Sequence, residues 1–334
     1  MSRYIIRQLL SVIPIILGVT VFVFILMHLA PGDPARLLAP EVATEADIEA
    51  IRVRLGLDHP IHVQYWTFIS GLVRGDLGTS FVSGEPVLKE LLDALPATLE
   101  LALTALFIAG LVAFPIGVVS ALKRNTVVDN VSMSGALLGL SIPNFWLGLL
   151  LILLFGATLQ LLPISGRITY EVQLHNITKL VLVDSILTRN WEALVDGLRH
   201  LIMPAVALSG GAAAAWSRLI RSSMLDVIRS DYIRTARAKG LSGRVVVWKH
   251  ALRPSLIPVI TFMGIQVRHM LGGAIIVERV FGFPGLGTLL MRGVNFRDYF
   301  LVLGVVTMYS ITAVLVNLIV DIAYVFVDPR VRFS

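Results

Sequence analysis

The feature that most constrains this chain is a set of long stretches without a charged side chain. One runs from Leu9 to Ala30, and another covers Val131–Leu162. A soluble domain carries about 25% charged residues, whereas this 334-residue chain carries 15% and is 56% hydrophobic. A helix needs roughly 20 apolar residues to cross the hydrocarbon core of a bilayer. The sequence therefore predicts an all-α membrane protein with the lipid bilayer as a partner and no nucleic acid.

Six stretches have the length or composition of a membrane span. They are Leu9–Ala30, Thr98–Leu122, Val131–Leu162, Leu201–Ser217, Ser255–Val277 and Tyr299–Val327. The first is longer than the roughly 7–15 apolar residues of a cleavable signal peptide, which favours an uncleaved span. Pro143-Asn144 is the expected break in the third. The fourth is short, but Gly210-Gly211 and Ala212–Ala215 favour close helix packing.

The distribution of charge predicts the orientation. Arg218–Arg253 carries nine Lys or Arg residues against two acids, whereas Pro31–Pro96 carries five against ten. Because Lys and Arg concentrate in short cytoplasmic loops, we expect both termini and the basic loop in the cytoplasm. Pro31–Pro96 then lies outside the membrane.

Three regions are expected along the chain. Residues 1–30 form the N-terminus and first span, and residues 97–334 form a five-span core with a cytoplasmic loop over 218–254. Residues 31–96 form a small extracytoplasmic subdomain, in which Thr44–Asp47 followed by Ile48, Ile51 and Leu55 predicts a capped amphipathic helix.

The basic loop shows helical periodicity. Leu225, Ile228, Tyr232 and Ala236 recur at spacings of three and four, which predicts one helix with an apolar face, and Gly240 is placed to end it. A second helix is expected over Arg244–Leu252, before Pro254. From these residues alone, a surface that lies on lipid headgroups and a surface that docks a protein fit equally well.

Several short motifs occur in an order that resembles one known family. In the loop and directly after it they are Tyr232–Gly240, His250–Arg253 and Ile257-Pro258, and elsewhere Pro31–Ala35, Leu55–Asp58, Arg74–Gly78, Pro96–Leu101, Phe283–Gly287, Arg297–Tyr299, Asn317–Asp321 and Asp328–Arg330. Each is weak alone, but together they resemble the permease subunits of bacterial dipeptide and oligopeptide ABC importers. The generic family loop begins Glu-Ala-Ala, where this chain has Arg234-Thr235-Ala236.

The resemblance implies an architecture and a set of partners. The implied fold is that of a type I ABC importer permease, and the implied mechanism is alternating access. The implied partners are a homologous second permease, two ATP-binding subunits and an extracytoplasmic solute-binding protein. ATP and Mg would bind the ATP-binding subunits, and this chain would hold no cofactor. The implied coupling residues are Asp231, Tyr232, Arg234, Thr235, Ala236, Arg237, Lys239 and Gly240.

Ionisable residues inside a span are costly and therefore mark candidate functional sites. Gln266, Arg268 and His269 lie in the middle of the fifth predicted span. One interpretation is that they line a translocation path and meet a peptide's carboxylate or carbonyl groups. The other is that they pair with a partner helix or face a water-filled cleft for structural reasons.

Absent motifs exclude other functions. The chain has no GxxxxGK[ST] loop, so we expect it to lack ATPase activity of its own, and it has no HExxH or GxSxG motif. Because it has no cysteine, thiolate metal sites are excluded, and no metal site is expected. The remaining alternatives are import of glutathione, nickel complexes, opines, siderophores or sugars, and a self-sufficient secondary transporter. The latter predicts internal repeats and a buried carboxylate relay, and the sequence shows neither.

Overall fold

The part of the chain that the computed structural model describes is mostly helical. The described residues are 2–29 and 32–327, without the side chains of residues 2–7, 9, 268, 321 and 323–327. Within them no β-strand forms, and Thr79 and Pro86 make an isolated antiparallel bridge. The expectation of an all-α protein is confirmed.

Fourteen α-helices and two π-helical segments follow one another along the described chain. The first half contains α1 (Ser2–Leu29), α2 (Pro34–Leu38), α3 (Glu45–Arg54), α4 (Ile61–Val73), α5 (Val87–Leu122), α6 (Val127–Ser141), α7 (Asn144–Leu151) and π1 (Ile152–Thr158). The second half contains α8 (Val181–Leu187), α9 (Trp191–Ile228), α10 (Asp231–Ala238), α11 (Gly243–Val245), π2 (Val246–Leu252), α12 (Arg253–Val280), α13 (Leu286–Phe296) and α14 (Tyr299–Val327).

By length and composition, four of the described helices can cross a membrane, and there are six spans if each of two bent helix pairs counts as one. The four are α1, α5, α9 and α14. One bent pair is Val127–Ser141 with Asn144–Thr158, at 102°, and the other is Gly243–Val267 with His269–Val280, at 47°. Within the described residues, each of the six predicted stretches overlaps one of these helices or pairs, and the predicted break at Pro143 is confirmed.

The small residues of α9 allow it to pack in the centre of the bundle. Ala212, Ala213 and Ala214 are buried, and Trp216 is fully buried beside them. Gly117 of α5 lies so close that a Cβ there would stand 2.7 Å from the Cβ of Ile220. The sequence-based expectation of close packing at the fourth stretch is therefore confirmed.

The segment after the first span contains the capped helix that the sequence predicts. Thr44 caps α3 by accepting a hydrogen bond from the backbone N of Asp47, and the Asp47 side chain accepts one from the backbone N of Thr44. The next long helix, α5, starts at Val87 and runs on past residue 96. A separate subdomain over 31–96, its extracytoplasmic location and the predicted orientation stay predictions.

Candidate functional site

The basic loop does not form the single helix that the sequence predicts. Helix α9 ends at Ile228, Ser230 takes an extended backbone with φ −69° and ψ 151°, and α10 starts at Asp231. The Ser230 hydroxyl donates a hydrogen bond to the carbonyl oxygen of Val227, at 2.6 Å. Serine offers the backbone this alternative to continued helix, which explains why the chain turns here.

The turn at Ser230 changes which residues of α10 face the core. Ile233 is fully buried and Ala236 nearly so, and both belong to the buried apolar cluster that also contains Met224 and Trp216. Tyr232, which the sequence places on the apolar face, is 47% exposed. That assignment was wrong because helical periodicity does not carry across a break, whereas the inward position of Ala236 is confirmed.

Gly240 ends α10 as predicted. Its φ is +75°, a left-handed conformation that glycine adopts with little strain, and its N donates a hydrogen bond to the Arg237 carbonyl oxygen at 3.0 Å. A Cβ on Gly240 would meet nothing within 4 Å. The requirement for glycine therefore comes from the backbone conformation and not from a lack of space.

The predicted second helix of the loop does not stop before Pro254. The chain passes from α11 through π2 into α12, and Pro254 occupies the first turn of α12. A proline inside a regular α-helix loses a hydrogen bond and clashes with the preceding turn. The wider turn of π2, directly before Pro254, lets the helix continue. The predicted end before Pro254 was wrong.

The other predicted coupling residues form an exposed surface on α10 and the turn after it. Asp231, Tyr232, Arg234, Thr235, Arg237, Lys239 and Gly240 are all exposed. Asp231 and Arg234 make an ion pair at 3.2 Å whose side chains are 93% and 78% exposed, so the pair contributes little stability. These charges therefore do not hold the loop in place and are available to a partner.

A buried ion pair lies beside the loop, and no sequence pattern predicts it. Arg221 of α9 binds Asp129 of α6 through two hydrogen bonds of 2.6 and 2.7 Å. The same carboxylate accepts hydrogen bonds from the Ser120 hydroxyl and from the backbone N of Asn125. Asp129 is 1% exposed. From the sequence, Asp129 looks like an acidic residue in the first turn of a helix. Its pairing with Arg221 cannot be seen there, because Arg221 is distant in the sequence.

The candidate path residues lie on α12. His269 is exposed and Gln266 is half-buried, whereas the side chain of Arg268 is outside the described residues. His269 shares an exposed face of the helix with Thr261 and Ile265, whereas the opposite face is half-buried or, as at Val259, fully buried. Whether these residues line a path stays a prediction.

At the other end of α12 a buried carboxylate holds three helices together. Glu278 is fully buried and accepts hydrogen bonds from the Thr98 hydroxyl of α5 and from the backbone N of Gly287 in α13. Thr98 in turn accepts one from the backbone N of Leu286, at 2.8 Å. A Cβ on Gly285 would lie 2.4 Å from this carboxylate. The glycines of the Phe283–Gly287 motif are therefore needed for close approach to Glu278.

Two further carboxylates fix the loops at this end. Asp298 is fully buried and accepts hydrogen bonds from the Ser80 hydroxyl, at 2.6 Å, and from the backbone N of Leu301. Burial raises the pKa of the Asp298 carboxyl, and the hydrogen bond from Ser80 opposes that shift. Glu100 binds Arg167 of the long segment before α8 through two hydrogen bonds.

Comparison with known proteins agrees with this architecture. Residues 113–333 match the family described as binding-protein-dependent transport system inner membrane component, and residues 1–102 match the N-terminal domain of such membrane components. The chain is 44% identical over 319 residues to the probable D,D-dipeptide transport system permease protein DdpB of Escherichia coli K12, covering 95% of this chain and 94% of that protein.

Another relative and a solved structure extend the comparison. The chain is 40% identical over 334 residues to the glutathione transport system permease protein GsiC of Salmonella choleraesuis, covering all of both proteins. A solved chain of the MetNI methionine ABC transporter, in an inward-facing conformation, superposes with a TM-score of 0.54 at 17% identity. That match covers 71% of this chain and 96% of the other, and it shows a shared fold. This chain belongs to the family of inner membrane components of binding-protein-dependent transport systems.

Proposed function

We propose that this chain is the permease subunit of an ATP-driven importer of dipeptides or oligopeptides. It supplies half of the translocation path, and its basic loop docks onto an ATP-binding subunit. Family membership supports the transport role and the inner-membrane location. The name of the E. coli relative supports a short peptide as the solute.

The observation that carries the proposal is the division of α10 into two faces. Two apolar side chains, Ile233 and Ala236, attach the helix to the bundle, and its charged residues face outward. A helix that only sealed the bundle would not need an exposed row of arginines. A helix that transmits force to a partner needs both a firm inner contact and a charged outer surface, because charge complementarity selects the partner.

The proposed assembly contains a second, homologous permease, two ATP-binding subunits and an extracytoplasmic solute-binding protein. ATP and Mg would act on the ATP-binding subunits, and this chain would be non-catalytic. Movement of α10 would pass to the bundle through Ile233 and Ala236. The path would then open alternately to either side of the membrane, with Gln266, Arg268 and His269 as candidate lining residues.

Glutathione is the second candidate solute, and the Salmonella relative favours it specifically. Glutathione is itself a short peptide, so both candidates need the same path chemistry. A self-sufficient secondary transporter is the alternative from another class. If the purified chain alone moved a dipeptide across a vesicle membrane without ATP, that alternative would replace the proposal.

Charge reversal on α10 tests the docking role. In proteoliposomes that contain the complete transporter, Arg234→Glu with Arg237→Glu is expected to lower ATP-driven dipeptide uptake about tenfold, because like charges would face the partner. The matched control is Arg124→Glu, an exposed residue in the short basic turn before α6. Equal uptake by the double variant and the control would refute docking through α10.

A further inference from the structure

An open groove lies between α6, α9 and α12, on the side of the bundle next to the basic loop. It has a volume of about 680 Å³. Apolar side chains form most of its walls, and they include Met133, Leu137, Leu140, Leu219 and Phe262. A second groove of about 460 Å³ shares Leu219 and Phe262 with the first and extends along α12 to Ile265. The two therefore form one continuous surface that ends about one helical turn from His269.

Two arginines of α9, Arg218 and Arg221, line the first groove, and their electrostatic states differ. The buried carboxylate of Asp129 neutralises Arg221 through two hydrogen bonds. Arg218 is exposed in the groove, and no carboxylate among the described side chains pairs with it. The groove therefore offers an anion a single uncompensated guanidinium, which binds carboxylates in a two-pronged geometry.

This surface is a poor lipid-facing one. A side chain that faces hydrocarbon at the level of a span is normally apolar, and ionisable groups face a cavity or a partner instead. Arg218 stands at the loop end, just after the fourth predicted span, and Thr261 and the ionisable His269, both within the fifth predicted span, are exposed farther along α12. The volume of the first groove also falls within the roughly 300–1,000 Å³ typical of small-molecule sites.

We propose that Arg218 binds the carboxylate of the transported solute at the loop end of the path, while the apolar walls of the groove receive its side chains. This inference rests on the proposed function, because it assumes a carboxylate-bearing solute. Because Asp129 neutralises Arg221, the positive charge of Arg218 is the one left in the groove to bind the single carboxylate of the solute. The site is thus matched to the C-terminus of a short peptide.

The test uses the complete transporter, purified in detergent without nucleotide, and a dipeptide that carries a photoreactive diazirine side chain. After irradiation, peptide mapping is expected to find the label near Leu219 and Phe262. An unlabelled dipeptide is expected to displace the label at about tenfold lower concentration than the same dipeptide with an amidated C-terminus. Arg218→Gln is expected to abolish this tenfold preference for the free carboxylate.

Two variants control the experiment. Arg229→Gln removes an exposed arginine of the same loop that does not line the groove, and it is expected to keep the full preference. Arg218→Lys keeps the positive charge but loses the two-pronged geometry, so it is expected to keep part of the preference for the free carboxylate. If Arg218→Gln does not assemble, Arg218→Lys still tests the proposal. A full tenfold preference for the free carboxylate in the lysine variant would contradict a guanidinium site.

Other outcomes would overturn the inference directly. The first is that the wild type carries no label near Leu219 and Phe262. The second is that Arg218→Gln prefers the free carboxylate as strongly as the wild type does. The third is that short-chain phosphatidylglycerol displaces the label and the free dipeptide does not. The last would assign the groove to a lipid headgroup. ATP-driven dipeptide uptake by the wild-type complex in proteoliposomes is measured in parallel. Its absence would refute the proposed function, whereas uptake with labelling independent of Arg218 would refute only the inference.

Discussion

Helix α10 is held to the bundle in a different way from the elements at the opposite end. At the end that contains Glu100, Glu278 and Asp298, buried carboxylates accept hydrogen bonds from hydroxyl, guanidinium or backbone groups on other elements. At the end that contains the basic loop, Asp129 accepts buried hydrogen bonds from Arg221 and Ser120, but α10 itself attaches through the apolar side chains of Ile233 and Ala236, and its charged groups are exposed.

The difference teaches that buried polar networks and apolar contacts suit different tasks. A buried carboxylate that loses one partner is left unsatisfied, so such a network fixes one geometry. Apolar contacts carry no directional requirement, and a helix held by them can shift against its neighbours at lower cost. We therefore expect the networks around Glu278 and Asp298 to determine stability and α10 to determine coupling.

The largest expected effect comes from filling the space beside Glu278. In Gly287→Ala, the new Cβ would lie 2.4 Å from the Cα of Ile275 and 2.8 Å from the Glu278 carboxylate. Because backbone cannot yield as a side chain can, the variant is expected to lose about 3 kcal/mol of stability. Thermal unfolding in detergent measures this. Gly135→Ala, where a Cβ meets nothing within 4 Å, is the control, and equal unfolding of the two variants would contradict the packing argument.

The second prediction removes one hydroxyl from the same network. Thr98→Val keeps the shape of the side chain but removes one of the hydrogen bonds that the Glu278 carboxylate accepts and leaves the backbone N of Leu286 without its partner. A loss of about 2 kcal/mol is expected, because each unsatisfied buried group costs roughly 1–3 kcal/mol. Thr67→Val is the control, since the Thr67 hydroxyl bonds only a carbonyl of its own helix. A loss no larger than that of the control would show that the network is dispensable.

The third prediction concerns the loop end and separates coupling from stability. Gly240→Val places a β-branched residue at φ +75°, with a strain of roughly 1–2 kcal/mol on the turn after α10. ATP-driven uptake is expected to fall severalfold, and the unfolding temperature of the bundle is expected to change little. Gly243→Val is the matched control, because that glycine has open space but no left-handed backbone. Equal uptake by Gly240→Val and Gly243→Val would contradict a role of the turn after α10 in coupling.

The smallest expected effect is a pH dependence of stability from Asp298. Its pKa in the folded state is raised by burial, so its contribution to stability is full below the unfolded pKa of about 3.9. That contribution is lost as the pH rises through the folded pKa. The difference in unfolding temperature between wild type and Asp298→Asn is therefore expected to decrease from pH 4 to 7.

Asp47 provides a control of opposite sign for the same measurement. Hydrogen bonds from the side chain and backbone of Thr44 lower its pKa, so its contribution is present above the unfolded pKa and is lost as the pH falls. The difference between wild type and Asp47→Asn should therefore increase with pH. The same trend in both variants would contradict the assignment for Asp298.

Hydropathy and turn chemistry predicted the local features correctly. The six stretches, the break at Pro143, the cap at Thr44 and the end of α10 at Gly240 each depend on residues that are neighbours in the chain. The face of α10 was predicted wrongly, because the break at Ser230 shifts the inward position from Tyr232 to Ile233. Nothing in the periodicity itself indicates such a break.

What the sequence alone determined is therefore the solvent of the long uncharged segments and some of the positions where helices start, break or end, among them Thr44, Pro143 and Gly240. An uncharged run must avoid water, and a glycine or proline restricts its own backbone. Only the tertiary structure decided which polar groups are in contact. Glu278 binds Thr98 and Asp129 binds Arg221, whereas Arg218 pairs with no carboxylate among the described side chains. The physical reason is that a hydrogen bond or an ion pair depends on distance in space, and these partners are far apart in the sequence.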